Sequence, residues 1–363
     1  MTQVPRELWP IVCRLAAACE WPPRTDADVA AFFDFANRQN LLPLLMADEG
    51  LPPELAVAKP RFRALHALYR RRYELSRSAT LELLRVLGSD AFLFYKGSDY
   101  RHRLYARPEQ RPMTDVDVYV PAAGIAAALQ RLAEAGYPRK YVAYGAHFAP
   151  GFYDLSFEIE RVHIEVHRCF AQRVRAGIEY DGIWQRREWF EHDGIGGYRL
   201  SSADAVLAHA FGLAKDEFSS ELNRYVDFYL LLQRYEGELH ECVVRAKTWR
   251  IERPLFSALH LLSNLFPSAR SGAVDEAMDM LLDPETRKFL VDRVLPDPAT
   301  ERSGHISGRR VQLWRKYWLI DRVWRRFALA ACHVCETVIG LAMEWRLRRN
   351  GLALPPRPTS RSR

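Results

Sequence analysis

Cysteine is scarce in this sequence and follows no regular framework. Only six cysteines occur in 363 residues, which argues against a disulfide-stapled secreted scaffold, so no disulfide partner is predicted. The first residues also lack the basic segment followed by an apolar run that marks a secretory signal. Both features favour a reducing compartment, and a cytoplasmic location is expected.

Long apolar runs are scarce as well. The stretch 327–343 is mostly apolar, at the short end of what spans a bilayer. It contains Glu336, whose burial in lipid is costly, so a packed core helix is predicted rather than a transmembrane span. Membrane-surface contact is the alternative. Cys332 and Cys335 lie here with Cys-x-x-Cys spacing, but no second ligand pair follows, and buried free thiols are predicted.

Excess charge is confined to the C-terminus. From Ser303 onward 13 Lys and Arg face 3 Asp and Glu, a net +10, whereas the whole chain carries +7. The basicity therefore belongs to the C-terminal segment. Such a segment attracts nucleic acid, anionic lipid or an acidic protein, and a solvated helix face with a disordered tail is the alternative.

The rest of the composition is that of an ordered globular protein. Hydrophobic residues make up 48% and aromatic residues 12%, enough for a large core in two or three subdomains. The spacing of apolar residues is helical, then changes, then is helical again. An α+β fold is predicted, with a small mixed-sheet core between two helical subdomains and a disordered basic tail: 1–88 and 199–350 helical, 89–198 core, 351–363 tail.

One stretch near residue 100 combines several chemical signals. An apolar strand is broken by Gly97 and Ser98 into a predicted helix, and a second strand follows. Period-2 alternation in this second strand places Asp115 and Asp117 on one face. Adjacent carboxylates repel unless a cation offsets their charge, and Mg²⁺ takes carboxylate oxygens while keeping positions open for phosphate. A metal-dependent phosphoryl-chemistry site is predicted.

This order of elements resembles the nucleotidyltransferase superfold of the DNA polymerase beta type. The phrases Tyr95-Lys96-Gly97 and Arg111 to Asp117 (Arg-Pro-Met-Thr-Asp-Val-Asp) are similar to signatures of a bacterial family of uncharacterised nucleotidyltransferases. The resemblance covers about residues 30–260 and implies that 89–198 is a nucleotidyltransferase core. It also implies an enzyme that moves a nucleoside monophosphate from an NTP to an acceptor hydroxyl, with Mg²⁺ or Mn²⁺, and releases pyrophosphate.

Such a reaction calls for a third carboxylate on a neighbouring strand, because two cations roughly 3.5–4 Å apart have to be held. A later predicted strand supplies Glu165, on the same face as two flanking histidines. The resemblance places Glu165 where the family has its third acid, usually Asp. Asp115, Asp117 and Glu165 are therefore predicted to bind metal and to be catalytic, with Glu165 as a base. Glu158 and Glu160 are the rivals for the third position.

Gly97 and Ser98 fit a phosphate-binding turn, because glycine lets backbone N–H groups approach phosphate and serine adds a hydroxyl donor. Lys96 and Arg111 flank the acids. The resemblance implies that they contact the triphosphate, and a structural ion pair with an Asp is the alternative. Three residues of the C-terminal helices are further candidates to bind base or ribose, with a structural role favoured for each: His209, Lys215 and Asp227.

The acceptor is not identified by the sequence. A protein, peptide or small molecule is predicted. An RNA- or tRNA-modifying enzyme of toxin type is the alternative, favoured by the basic C-terminal segment, since phosphate neutralisation gives salt-dependent affinity for nucleic acid. A non-catalytic nucleotide-binding protein is the third hypothesis, and the presence of all three acids argues against it.

Overall fold

The structure is a computed structural model. It describes residues 8, 10–12, 25–46, 59–138, 154–170, 175–295, 315, 317–327 and 329–331. The stretch 141–144, where the sequence pattern predicts a strand, lies outside the described residues, as do the Cys332–Cys335 pair and the basic tail. Within the described residues, one mixed sheet is flanked by helices on both sides in sequence, as predicted.

The N-terminal part is helical. In the described ranges from Thr25 onward its helices are α1 (Asp26–Arg38), α2 (Leu42–Met46) and α3 (Lys59–Leu87). Thr25 caps α1 in a reciprocal arrangement: its hydroxyl accepts from the Asp28 N–H, and the Asp28 carboxylate accepts from the Thr25 N–H. The long helix α3 buries Ala79, Leu83 and Leu87 against the sheet, so it forms one wall of the core.

Within the described part of the chain, six strands form the sheet in the order β3-β4-β2-β1-β6-β5. Their bounds are β1 Leu93–Phe94, β2 Asp115–Tyr119, β3 Asp154–Ile159, β4 Val162–His167, β5 Glu188–His192 and β6 Ile195–Arg199. The pairs β1–β6 and β2–β4 are parallel and the other neighbours are antiparallel. The sequence pattern predicts strands from Tyr153 to Glu160 and from Val162 to Cys169, with a turn at Arg161. The β3–β4 hairpin turns at Glu160 and Arg161, both at positive φ, which confirms the turn and removes Glu160 from the strand.

The β5–β6 hairpin is an element that the sequence reasoning did not assign. Glycine is unfavourable in strands, and β6 contains Gly196 and Gly197. The structure explains the second glycine, because a Cβ atom there would lie 2.8 Å from the Phe94 ring. The close approach of Phe94 to the backbone of β6 therefore requires glycine at this position.

Short helices connect the strands and a helical array follows them. The connecting helices are α4 (Gly97–Arg103), α5 (Ile125–Glu134) and α6 (Tyr180–Gln185). The array comprises α7 Ser202–Lys215, α8 Leu222–Tyr235, α9 Leu239–Trp249, α10 Glu252–Leu265, α11 Gly272–Leu281 and α12 Pro284–Phe289, with a π-helical turn at Leu290–Val294. Ser201 caps α7, as its sequence predicts.

Two apolar clusters divide the described residues. One lies between the sheet and α3 and takes Val116 and Val118 from β2. The other fills the C-terminal helices and includes Trp249 and Phe228, which are fully buried. Because side chains alternate along a strand, the valines of β2 enter the first cluster while its acids point to the opposite face. That face looks toward the C-terminal helices.

The C-terminal helical segment is described only in part. Helical residues up to Trp318 are followed by a break at 319–322 and a new helix from Val323. Val323, Trp324 and Phe327 are exposed, whereas Leu329 is buried. The rest of the core helix predicted over 327–343 lies outside the described residues. No helix in the described ranges has the length and apolarity needed to cross a bilayer.

Candidate active site

The parallel pairing of β2 with β4 brings the predicted acids together. Asp117 is directly opposite Glu165, and Asp115 is opposite His163. Residues paired in this way project from the same face of a sheet. The three acids that the sequence singled out therefore share one face, next to the β1–α4 turn that carries Lys96.

Asp117 is the most enclosed of these acids, with 5% of its surface exposed. Its Oδ1 atom lies 2.8 Å from Nζ of Lys96 and 2.7 Å from Nε2 of His167. Burial opposes ionisation, but the Lys96 charge and the His167 hydrogen bond outweigh it, so the pKa of Asp117 is held below its usual value. Because an ionised carboxylate only accepts hydrogen bonds, Nε2 of His167 carries the hydrogen in this contact, and it could bind a cation only in the tautomer that carries the hydrogen on Nδ1.

Glu165 lies between two histidines of its own strand. Its carboxylate oxygens are 3.6 Å from Nε2 of His163 and 3.5 Å from Nε2 of His167. Burial raises the pKa of Glu165, but contacts with His163, His167 and the Lys96 charge lower it by more, so the carboxyl stays ionised. The third acid predicted from the sequence is thus a carboxylate held beside Asp117.

Asp117, Glu165 and His167 could together hold a metal ion. Each offers one ligand atom, and these atoms lie within 4.8 Å of one another. Two carboxylates and one imidazole suit a divalent cation such as Mn²⁺ or Mg²⁺, the imidazole favouring Mn²⁺. The sequence reasoning placed His167 on the correct face but did not count it as a ligand. Its signal was the alternation His163, Glu165, His167.

Asp115 stands beside this group and is not one of its three members. Burial raises its pKa, and the charges of Asp117 and Glu165 raise it further, to about 6. This carboxyl is therefore ionised at neutral pH only against the repulsion of its neighbours. A cation placed near Asp115 would relieve that repulsion, so its position suits a second metal ligand.

The turn between β1 and α4 has an unusual backbone. Lys96 has φ 50° and ψ −130°, a conformation that non-glycine residues rarely adopt. At Gly97 a Cβ atom would lie 3.0 Å from Sδ of Met113. The chain thus passes tightly against the loop that precedes β2, and such strain persists where surrounding structure enforces it, often at functional sites.

Ser98 is placed differently from its neighbours. Its hydroxyl lies 2.7 Å from the carbonyl of Tyr95 and also contacts the carbonyl of Asp117. The side chain is buried, with 3% of its surface exposed. These bonds tie the start of α4 to β1 and β2, whereas Lys96 and Gly97 face the cavity. Phosphate binding by Ser98 stays a prediction.

Arg111 forms an ion pair with Asp227 of helix α8. Its Nη2 atom lies 2.7 Å from Oδ2 of Asp227, and its Nε lies 2.8 and 2.9 Å from the two carboxylate oxygens. Asp227 is fully buried and also accepts from the Tyr105 hydroxyl at 2.7 Å. This is the structural ion pair that the sequence left as an alternative. It joins the Arg-Pro-Met loop to the C-terminal helices.

A cavity of about 280 Å³ separates the acids of β2 from helices α7 and α8. Among its described lining residues five are acidic and five basic, the basic ones being Arg72, Lys96, Arg111, Lys215 and Arg224. All three candidates from the C-terminal helices border it. The His209 side chain makes a hydrogen bond that links α7 to α8, since its Nε2–H donates to the Arg224 carbonyl at 2.7 Å. The cavity can therefore admit an anionic group beside the carboxylates.

Comparison with known proteins assigns the family. Residues 25–267, about two thirds of the chain, match a family described as uncharacterised nucleotidyltransferase. The chain belongs to this nucleotidyltransferase family. No curated protein and no solved structure matches it. The family predicted from the motifs around Lys96 and Asp117 is thereby confirmed, and the match reaches from α1 to the end of α10.

Proposed function

We propose that this nucleotidyltransferase is a metal-dependent enzyme that moves a nucleoside monophosphate from an NTP to an acceptor hydroxyl and releases pyrophosphate. One observation carries the proposal. Asp117 and Glu165 are paired in register on parallel strands, and Asp115 and Asp117 border a cavity that basic side chains also line. A phosphoryl-transfer site needs this combination of metal ligands and anion-binding groups.

The residues fit the roles that this chemistry requires. Asp117, Glu165 and His167 would hold one divalent cation, and Asp115 with Asp117 a second. Cations bound there would supply activation of the acceptor hydroxyl and charge neutralisation at the phosphates. Lys96 and Gly97 border the space for the triphosphate. Arg111 adds positive charge from its anchored position on Asp227, so it supports phosphate binding without leaving its ion pair.

The acceptor that we propose is a protein, peptide or small molecule. The main support is the balanced charge of the cavity, with as many acidic as basic side chains. A surface adapted to nucleic acid would carry excess positive charge around the site. In this chain that excess lies from Ser303 onward. RNA modification is therefore the second candidate, and salt-sensitive RNA retention by the intact protein would favour it.

The test is a transfer assay with each of the four α-³²P-labelled NTPs, Mg²⁺ or Mn²⁺, and cell lysate as the source of acceptor. We expect label in one macromolecular or small-molecule fraction, its loss with EDTA, and its loss in Asp117→Asn. Glu158→Gln, a change on the exposed edge strand β3, serves as the matched control and should keep activity. Transfer that persists in Asp117→Asn would refute the mechanism.

A further inference from the structure

The Lys96 ammonium contacts the same atoms that would bind a metal ion. Its Nζ lies 2.8 Å from Oδ1 of Asp117 and 3.3 Å from Nε2 of His167. Both residues belong to the three-residue group whose ligand atoms lie within 4.8 Å of one another. The lysine ammonium and a divalent cation would therefore compete for the same side chains.

The lone pairs of Asp117 make this overlap specific. A carboxylate oxygen accepts about two hydrogen bonds, and Oδ1 already accepts from Lys96 and from His167. A cation that binds to Oδ1 has to displace one of these donors. His167 can change from donor to ligand by moving its hydrogen to Nδ1, whereas an ammonium has no lone pair and repels the cation at such short range, so the lysine is the donor expected to leave.

The Lys96 side chain can also reach a second position, in the cavity. It lines the cavity that we assign to the triphosphate, and its four-carbon side chain is flexible with three rotatable donors. Lys96 belongs to the β1–α4 turn and has a rare backbone conformation. From this turn its side chain contacts Asp117 and borders the cavity. One ammonium can thus reach either the metal ligands or a phosphate.

We propose that the Lys96 ammonium is a resident counter-cation of the acidic site, which competes with the divalent cation for Asp117 and moves to the triphosphate when metal and nucleotide bind together. This inference rests on the proposed function. Metal alone binds weakly, because the lysine has to be displaced without compensation. Metal with a polyphosphate binds well, because the displaced ammonium gains a new anionic partner.

The experiment measures two affinities for wild type and Lys96→Met. Mn²⁺ alone is titrated by electron paramagnetic resonance, and tripolyphosphate with Mg²⁺ is titrated by calorimetry. We expect Lys96→Met to tighten Mn²⁺ binding about tenfold or more and to weaken tripolyphosphate binding by a similar factor. A residue that only shapes the site would change both affinities in the same direction.

The controls separate charge from structure. Arg85→Met removes one positive charge from the exposed side of α3, away from the cavity, and should leave Mn²⁺ affinity within about twofold. Lys96→Gln removes the charge but keeps a donor for Asp117, so the test does not depend on whether Lys96→Met folds. Thermal melting verifies the fold of each variant.

The outcomes are distinguishable. Mn²⁺ affinity that is unchanged or weaker in both Lys96 variants overturns the competition. If wild type binds Mn²⁺ and tripolyphosphate but the variants show no opposite changes, the proposed function stands and only the role of Lys96 fails. If wild type binds neither probe, the proposed function fails together with this inference.

Discussion

At the scale of single residues, the third carboxylate is the position where sequence and structure can be compared most directly. Three glutamates competed for it. Glu160 lies in the β3–β4 turn at positive φ. Glu158 shares the sheet face through its pairing with His163 but is exposed on the edge strand. Only Glu165 is paired with Asp117 and in contact with His167, which favours it as the third acid.

This assignment predicts different results for two isosteric changes. Glu165→Gln should lower kcat/KM by about 100-fold or more, because a charged ligand of the proposed metal site is lost. Glu158→Gln should change it less than about threefold. Steady-state kinetics on the acceptor found in the transfer assay would measure both. Equal losses in the two variants would mean that edge strand β3 also contributes to the site.

At the scale of elements, Ser98 connects the start of α4 to the sheet. Its hydroxyl contacts two buried main-chain carbonyls. Ser98→Ala should therefore lower the free energy of unfolding by about 1–3 kcal/mol and leave nucleotide affinity nearly unchanged. Urea denaturation and nucleotide titration would measure the two effects. If affinity falls while stability is kept, Ser98 has the phosphate-binding role that its motif predicts.

Thr80→Val is the matched control for that experiment. The Thr80 hydroxyl donates to the Ser76 carbonyl at 2.7 Å inside α3, and both residues lie away from the cavity. Loss of this bond should affect stability alone. Comparison of the two variants therefore separates the cost of a lost buried hydroxyl from any effect of the site.

The ion pair of Arg111 with Asp227 joins two distant elements, the loop before β2 and helix α8. Asp227→Asn should destabilise the protein by about 3–5 kcal/mol, because it leaves the largely buried guanidinium of Arg111 without its counter-charge. Asp216→Asn breaks the more exposed pair with Arg224 and should cost less than about 1 kcal/mol. Denaturation midpoints would test this order. A smaller loss for Asp227→Asn would contradict a structural role for the pair.

The elements that could be predicted from sequence share one property, strong local periodicity. The apolar spacing predicts a helix over 60–88, a helix from Leu222 to Tyr235 and a hairpin that turns at Arg161. The structure has these elements close to the predicted bounds, as α3, α8 and the β3–β4 hairpin. Hairpin β5–β6 was missed because Gly196 and Gly197 contradict strand propensity. Contacts in the folded protein explain them, since a Cβ atom at Gly197 would meet the Phe94 ring of β1 and one at Gly196 would meet the Trp189 ring of β5.

Much of the site could likewise be predicted, since alternation along β2 and β4 puts the acids on one face. The sequence could not show which side chains from distant parts of the chain contact one another. The partners of Lys96 and Arg111 depend on which strand and helix lie opposite them, and both choices are made by tertiary packing. His167 became a candidate ligand only when the parallel register placed β4 beside β2.

At the scale of the whole molecule, the site lies between two bodies of apolar packing. One lies between the sheet and α3, and the other joins the C-terminal helices to α1, α2 and the opposite face of the sheet. Helices α7 and α8 of the second body supply the wall opposite the acids, with His209 between the rings of Tyr100 and Phe228. The stability of this contact region should thus affect both folding and the shape of the cavity.

His209 makes that region sensitive to acid. Burial, with the Arg224 and Arg111 charges, lowers its pKa to about 4, against about 6.5 in an unfolded chain. The unfolded chain therefore takes up a proton first, and stability present above about pH 6.5 is lost as the pH falls toward 4. The loss should reach on the order of 2–3 kcal/mol. This loss of stability should be absent in His209→Gln, whose side chain keeps a donor for the Arg224 carbonyl. Urea midpoints of both proteins between pH 7.5 and 4 would measure the difference, and parallel curves would show that His209 does not cause the acid sensitivity.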